Sequence, residues 1–492
     1  MYKETLGKDL FKLEQVENFA HLLARKNIGL GIAILFLAMV WVAANALSQG
    51  LDNQAFIITA GIIGGYMALN IGANDVANNV GPAVGAKSLT LGGALVMAAV
   101  FETAGAYFAG GDVVKTISKG IVDADQFANS RIFIWAMLSA LLAAALWINL
   151  ATFIGAPVST THSIVGGVGG AAIAAAGFGI VNWYVMAKIA ASWIISPLLG
   201  GAVAAIFLLF IKSQIIYQPN KITGAKRWIP VLVAVMAGVF STYFIMKGLK
   251  KVWIPEPWVP IAIGTAIFAL TYIVVRPRIA RQAEGMENRN RSIRELFHLP
   301  LICAAALLSF AHGANDVANA VGPLAAIVDT AATGAISQKV GIPGWVLFVG
   351  AVGISMGLLL FGPKLIRTVG DQITRLNPMR AFCVALSAAI TVIAASAMGL
   401  PVSSTHIAVG AIFGVGFLRE YITSRKTHIN HGKFPDKVPS EWESMTRDER
   451  RDKRKLVRRE HLWTIAAAWV ITVPSSALLS AAVFWVCTRV FD

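Results

Sequence analysis

Two short segments place ion-binding residue types inside apolar surroundings. GANDVAN occurs at 72–78 and again at 313–319, each time followed by Val-Gly-Pro or a close variant of it. On a helix, Asp75 and Asn78 stand three residues apart and Asn74 and Asn78 four apart, so their side-chain oxygens gather on one face. Asn315, Asp316 and Asn319 repeat the pattern. A carboxylate surrounded by amide oxygens suits a hard cation such as Na⁺. A protonatable carboxylate also allows coupling to H⁺. A buried acid in an apolar run is costly and marks function, against the plainer reading that each Asp caps a broken helix. Gly72, Gly81 and Pro82 are expected to unwind the helix and free carbonyl oxygens as further ligands.

A second pair complements the first. PVSTTH stands at 157–162 and PVSSTH at 401–406. Proline suits the first turn of a helix and Ser/Thr its N-cap. Each segment therefore reads as a helix that starts at membrane depth. Its free N–H groups, its positive dipole end and its hydroxyls would bind an oxyanion. The donors are Ser159, Thr160 and Thr161 in one copy and Ser403, Ser404 and Thr405 in the other. Plain capping is the alternative for both. His162 and His406 are expected to orient these tips rather than touch a ligand. Glu102 stands mid-run where the other copy has Ile354, as a cation ligand, a proton site or a pairing group. His312 precedes the second GANDVAN where the first has Ile71, and Lys188 is expected to snorkel.

The elements that hold these residues follow from composition. Of 492 residues, 56% are hydrophobic and 14% charged, which excludes a soluble enzyme, a disordered chain and a coiled coil. A dozen long apolar runs separated by polar links describe an all-α polytopic membrane protein. The net charge of +16 sits in a few loops, so it sets orientation and implies no nucleic-acid partner. Cys303, Cys383 and Cys487 lie within apolar runs and are expected to pack, not to form disulfides. The 45 glycines suit close helix contacts and helix breaks.

The paired motifs belong to an internal duplication. Asn74 to Ser159 is 85 residues and Asn315 to Ser403 is 88. Between them, Gly105 and Lys115-Thr116 are echoed by Gly357 and Arg367-Thr368. After them, Trp193 and Pro197 are echoed by Trp469 and Pro474. Residues 1–27 carry five Lys/Arg, 276–298 six arginines, and 419–461 thirteen Lys/Arg against eight acids. With all three segments cytoplasmic, the copies begin on opposite sides and are inverted, each crossing five times. Lys247, Lys250 and Lys251 go against this scheme. The reading is about 12–13 transmembrane helices in two inverted repeats, with broken or re-entrant helices meeting near the midplane.

Five parts result. Residues 1–55 form a cytoplasmic N-terminus and one extra helix, and 56–211 the first repeat. Residues 212–298 are a linker with two helices and a basic loop. Residues 299–418 and 462–488 form the second repeat, interrupted by a basic, partly helical or mobile insertion at 419–461. The N-terminus is expected to be cytoplasmic, in a multi-pass plasma-membrane protein, or an inner-membrane one in a bacterium.

GANDVANNVGPAVGAKSLT, HGANDVANAVGP and the PVSTTH/PVSSTH pair resemble the inorganic phosphate transporter (PiT, Pho-4) family of cation–phosphate symporters. The resemblance implies cation ligation around Asn74, Asp75, Asn78, Asn315, Asp316 and Asn319, and phosphate binding by the Ser/Thr of 159–161 and 403–405. FETAG at 101–105 also looks like a family segment and implies a functional Glu102. Some relatives carry an acid in the helix before the second PVSTTH, where this chain has Ala385. The implied activity is import of inorganic phosphate with Na⁺ or H⁺ as coupling ion and no cofactor. A sulfate or other oxyanion permease, a channel and an intramembrane hydrolase remain as alternatives. The partners implied are phosphate, a monovalent cation and the lipid bilayer, with a homodimer among the oligomeric states left open.

Overall fold

A computed structural model describes residues 26–491, except 52, 157, 250–252, 254, 337–340, 373–375 and 432–458. The expected cytoplasmic N-terminus and most of the basic insertion therefore lie outside the described residues. The helices are α1 (Lys26–Leu47), α2 (Gln54–Gly85), α3 (Leu91–Ala109), α4 (Gly111–Lys115, continued by a π-helical turn Thr116–Gly120), α5 (Ser130–Ile154) and α6 (Thr160–Ala176). They continue as α7 (Trp183–Ile211), α8 (Lys221–Tyr243), α9 (Trp258–Gln282), α10 (Asn290–Leu296), α11 (His298–Thr333), α12 (Gly344–Gln372), α13 (Pro378–Ala397), α14 (Ser404–His431) and α15 (Arg459–Phe491).

Local sequence sets their limits. Asn129, Asn182, Asn220 and Asn377 each accept a backbone N–H three residues on, starting α5, α7, α8 and α13. Gly155 ends α5 and Gly334 ends α11 in the left-handed conformation that glycine adopts without strain. Among the described residues, eleven helices are long and apolar enough to cross a membrane. The two remaining long segments, α6 with 17 residues and α14 with its charged second half, complete the number expected from the sequence. Large apolar side chains such as Ile194, Leu198, Ile206, Ile261, Ile273 and Leu478 point outward, as lipid-facing residues do.

In the first repeat two of the five expected crossings, α5 and α6, form a helical hairpin. Residues 121–123 pair with 180–182, Asp123 N donating to Ile180 O (2.8 Å) and Asn182 N to Ile121 O (2.9 Å). The end of α6 thus returns to the level at which α5 starts. α13 and α14 fold back on each other in the same way. The two hairpin turns carry the PVSTTH and PVSSTH segments.

The repeats are interleaved. α2 packs along α12, and α11 along α3, so each GANDVAN helix lies against a helix of the other repeat. Gly72 and Gly313 make this contact possible. A Cβ at Gly72 would collide with the carbonyl of Ile354, and one at Gly313 with the carbonyl of Glu102. These are mirror positions. In the outer layer α6 crosses α15 and α14 crosses α7, again through glycines.

Two expectations about the elements are corrected here. The helix is not unwound at Gly72, Gly81 and Pro82, because α2 runs unbroken from Gln54 to Gly85 and α11 from His298 to Thr333. Gly72 serves close packing against Ile354, whereas Gly81 meets nothing within 4 Å. Lys247, awkward for the charge rule, is neutralised by Asp112 at 2.7 Å, which ties the end of α8 to α4. Lys250 and Lys251 lie outside the described residues. Lys188 rests over the Tyr184 ring at 4.1 Å. The three cysteines are free, and Cys383 is fully buried.

Candidate functional site

The two hairpin turns meet beside the middle of α2 and α11. At the first, Ser159 caps α6, its Oγ accepting from His162 N (3.1 Å). Ser403 caps α14 in the same way, accepting from His406 N (3.3 Å). These caps satisfy the third N–H of each helix. The N–H groups of Thr160, Thr161, Ser404 and Thr405 precede the first intrahelical acceptors and remain as donors at two converging helix tips. Thr161 Oγ1 donates to Val402 O of the other turn (2.9 Å), so the two tips touch.

Both aspartates lie at this junction and are inaccessible to solvent. Asp75 is held by one hydroxyl from each repeat: Thr160 Oγ1 donates to Oδ2 (2.9 Å) and Thr405 Oγ1 to Oδ1 (3.0 Å). Asp316 accepts from Ser404 Oγ at Oδ2 (2.8 Å). The second pair of amides bridges the repeats. Asn78 Nδ2 donates to Thr405 Oγ1 (2.8 Å), and Asn319 Nδ2 reaches Thr160 Oγ1 (3.3 Å) and Thr161 Oγ1 (3.2 Å).

Asn315 and Asn74 bind the turns themselves. Asn315 Nδ2 donates to Ser396 Oγ (2.9 Å) and Leu400 O (3.1 Å), and its oxygen accepts from Val402 N (3.2 Å). Asn74 occupies the mirror place. With its amide oriented to match both ends, its nitrogen donates to Val158 O (3.0 Å) and its oxygen accepts from Thr152 Oγ1 (3.0 Å).

One side of this centre breaks the symmetry. His312 sits among three carboxylates: Nε2 is 2.8 Å from Asp316 Oδ2 and 3.7 Å from Asp75 Oδ2, and Nδ1 is 3.2 Å from Glu102 Oε1. Asn79 Nδ2 donates to the same Glu102 oxygen (2.7 Å). Glu102 is thus joined to the aspartates through His312. His312 received no role from the sequence. The signal for it was a histidine four residues before Asp316 together with an acid, Glu102, that had no counterpart in the other repeat.

The donor set suits a cation. Asp316 Oδ1 and Asn319 Oδ1, one helical turn apart, are buried and accept no hydrogen bond, as are Glu102 Oε2 and Asn79 Oδ1. Buried lone pairs without donors are costly, and a hard cation satisfies several at once. Atoms of Asp75, His312 and Asp316 also come within 4.8 Å of one another. His162 and His406 stand behind the tips, their rings 4.5 Å apart, with His162 against Trp193 at 3.7 Å. Trp193 Nε1 donates to Pro401 O (3.2 Å), so this layer braces the second turn.

Known proteins share this arrangement of sequence and fold. A model of the phosphate transporter family matches residues 71–480. The "Putative phosphate permease" of Helicobacter pylori strain J99 is 43% identical, over 97% of this chain and 98% of its own length. That of Pyrococcus abyssi is 35% identical, over 88% and 98%. A solved structure, the sodium-dependent phosphate transporter, superposes with a TM-score of 0.78 at 35% identity, covering 89% of this chain and 100% of that one. The match over most of its length, both hairpin turns included, means that the chain belongs to the phosphate transporter family.

Proposed function

We propose that the chain imports inorganic phosphate by symport with Na⁺, through alternating exposure of the centre between the two hairpin tips. The observation that carries this reading is the hydrogen bonding of hydroxyls from both tips to both buried aspartates. A phosphate dianion brought alone beside two carboxylates is repelled in a low-dielectric site. A cation between them removes that repulsion and draws the carboxylate oxygens to itself. The hydroxyls of Thr160, Thr161, Ser404 and Thr405 then turn to the anion together with the N–H groups at the tips. Ser159 and Ser403 hold the tips in shape as caps. Asp75, Asp316, Asn78 and Asn319 ligate the cation, with Glu102 acting through His312. Asn74 and Asn315 tether the turns.

Na⁺ is preferred to H⁺ because the related solved transporter is named as sodium-dependent and because unpaired buried oxygens remain near Asp316. The end of the bundle that carries Arg276, Arg294 and Arg419 faces the cytoplasm by the positive-inside rule. The test is uptake of radiolabelled phosphate by proteoliposomes under imposed Na⁺ or pH gradients, with sulfate as competitor. Uphill accumulation driven by Na⁺ alone is expected. Accumulation driven only by a pH gradient would replace Na⁺ with H⁺, and uptake that never runs uphill would leave a channel.

A further inference from the structure

We propose that the groove between α7 and α13 binds an anionic phospholipid, with its headgroup at Lys188 and one acyl chain against the back of the second hairpin turn. The groove encloses about 280 Å³. Its walls include Ile195 and Leu199 of α7, Ala394 and Met398 along α13 and its end, and Leu400 and Val402 of the turn. Ile195, Leu199 and Met398 are exposed, so the groove opens sideways, on the helix that turns Ile194 and Leu198 to lipid.

Charge and length select the occupant. Lys188, Ser192, Ile195 and Leu199 line the groove from one face of α7, and Lys188 is its one charged lining residue. The ammonium lies 4.1 Å over the ring of Tyr184, one turn nearer the start of the helix. No carboxylate pairs with it among the described residues. Trp183 and Tyr184 are exposed beside it, as aromatic residues are where a helix enters the headgroup layer. The cation therefore stands where phosphodiester groups lie, and the groove runs inward from it. Lys188 to Leu199 is eleven residues, roughly 16 Å of helix. That is about one leaflet's share of a hydrocarbon core ~30 Å thick. A zwitterionic headgroup brings its own cation toward Lys188, whereas an anionic one leaves the attraction unopposed.

The floor of the groove ties it to the candidate site. Val402 N donates to Asn315 Oδ1 (3.2 Å), and Val402 O accepts from Thr161 Oγ1 (2.9 Å). Pro401 O accepts from Trp193 Nε1 of α7 (3.2 Å). With these backbone groups bonded, the turn offers the groove the side chains of Leu400 and Val402. An acyl chain lying on them supports the turn from behind and favours the arrangement in which the groove exists. This effect on uptake rests on the symport reading; the binding does not.

The full-length chain in phosphatidylcholine nanodiscs receives a trace of lipid with a photoactivatable group at mid-chain, carrying either a phosphatidylglycerol or a phosphatidylcholine headgroup. Adducts are mapped by peptide mass. Phosphatidylglycerol should label α7, α13 or residues 398–402 about fivefold more than phosphatidylcholine. K188Q, at an exposed position that folding tolerates, should abolish this preference, and K188R should keep it. A394W fills the groove and should remove labelling there by either lipid. Equal labelling by the two lipids in the unaltered chain, adducts confined to other helices, or a preference unchanged in K188Q overturns the proposal. In proteoliposomes, adding phosphatidylglycerol should change sodium-driven phosphate uptake at least twofold for the unaltered chain and not for K188Q. The same response in both would overturn the link to the turn. Absence of uptake in every vesicle, with labelling as expected, would count against the symport reading and support the lipid site.

Discussion

His312 has Ile71 as its mirror residue, Glu102 has Ile354, and Asn79 has Ala320. The two triplets are all buried at equivalent crossings, one polar and one apolar. This suggests a direct test of what the polar triplet does. His312→Ile alone leaves Glu102, Asp75 and Asp316 together without a basic neighbour. Such a loss in a buried ionic group costs about 3–5 kcal/mol, so a large drop in thermal midpoint is expected. Adding Glu102→Ile and Asn79→Ala copies a packing that the mirror side already contains. The triple variant should recover most of the stability, because well-packed apolar residues replace buried ionic groups at little cost. Recovery that fails would mean the two crossings are not equivalent. The aspartates give a different result. Asp75→Asn keeps the shape but places an amide donor against the hydroxyls of Thr160 and Thr405. Sodium-driven uptake should fall about 100-fold, equivalent to roughly 2.8 kcal/mol, while membrane insertion persists. Near-normal accumulation by the variant would remove Asp75 from the coupling step.

The helices supply a prediction of their own. Gly72 touches backbone, so Gly72→Ala must push α12 from α2, and overpacking of this kind costs about 1–3 kcal/mol. Gly81 meets nothing within 4 Å, and α2 is helical there, so Gly81→Ala should leave the thermal midpoint unchanged or raised. If both substitutions destabilise equally, the contact between α2 and α12 is not as described. The same glycines show how far the sequence could be read. Their enrichment and pairing were plain, and the repeated motifs located both the aspartates and the tips. Their use was not plain, because a glycine that breaks a helix and one that lets another backbone approach look alike until the neighbour is known. The helices meeting at the two PVS segments were legible, and the pairing that closes the first of them was not. The pairing of 121–123 with 180–182 joins segments almost sixty residues apart, which no local pattern announces. His312 was obscure because its partners, Glu102 and Asp75, are more than two hundred residues away in the chain.

In the whole molecule the tips cannot act separately. Thr405 of the second repeat holds Asp75 of the first, Asn319 of the second holds Thr160 and Thr161 of the first, and Thr161 reaches back to Val402. A cation at the aspartates and an anion at the tips therefore draw on the same hydroxyls. Their binding must be coupled, and coupling is reciprocal. A coupling of about 1–3 kcal/mol raises phosphate affinity about 5–150-fold between sodium-free and sodium-saturated buffer. Phosphate must then raise Na⁺ affinity by the same factor. Both factors are measurable on the detergent-solubilised chain by titrating each ion at fixed levels of the other. On the proposed reading, Thr405→Val removes the hydroxyl that links Asp75 to the second tip, so it should weaken phosphate binding and reduce both factors together. Had the cation site and the anion site been independent structures, the same substitution would weaken phosphate binding and leave the Na⁺ factor intact. That outcome, or a phosphate affinity indifferent to Na⁺, would mean that the interleaved tips hold the fold together without linking the two ions.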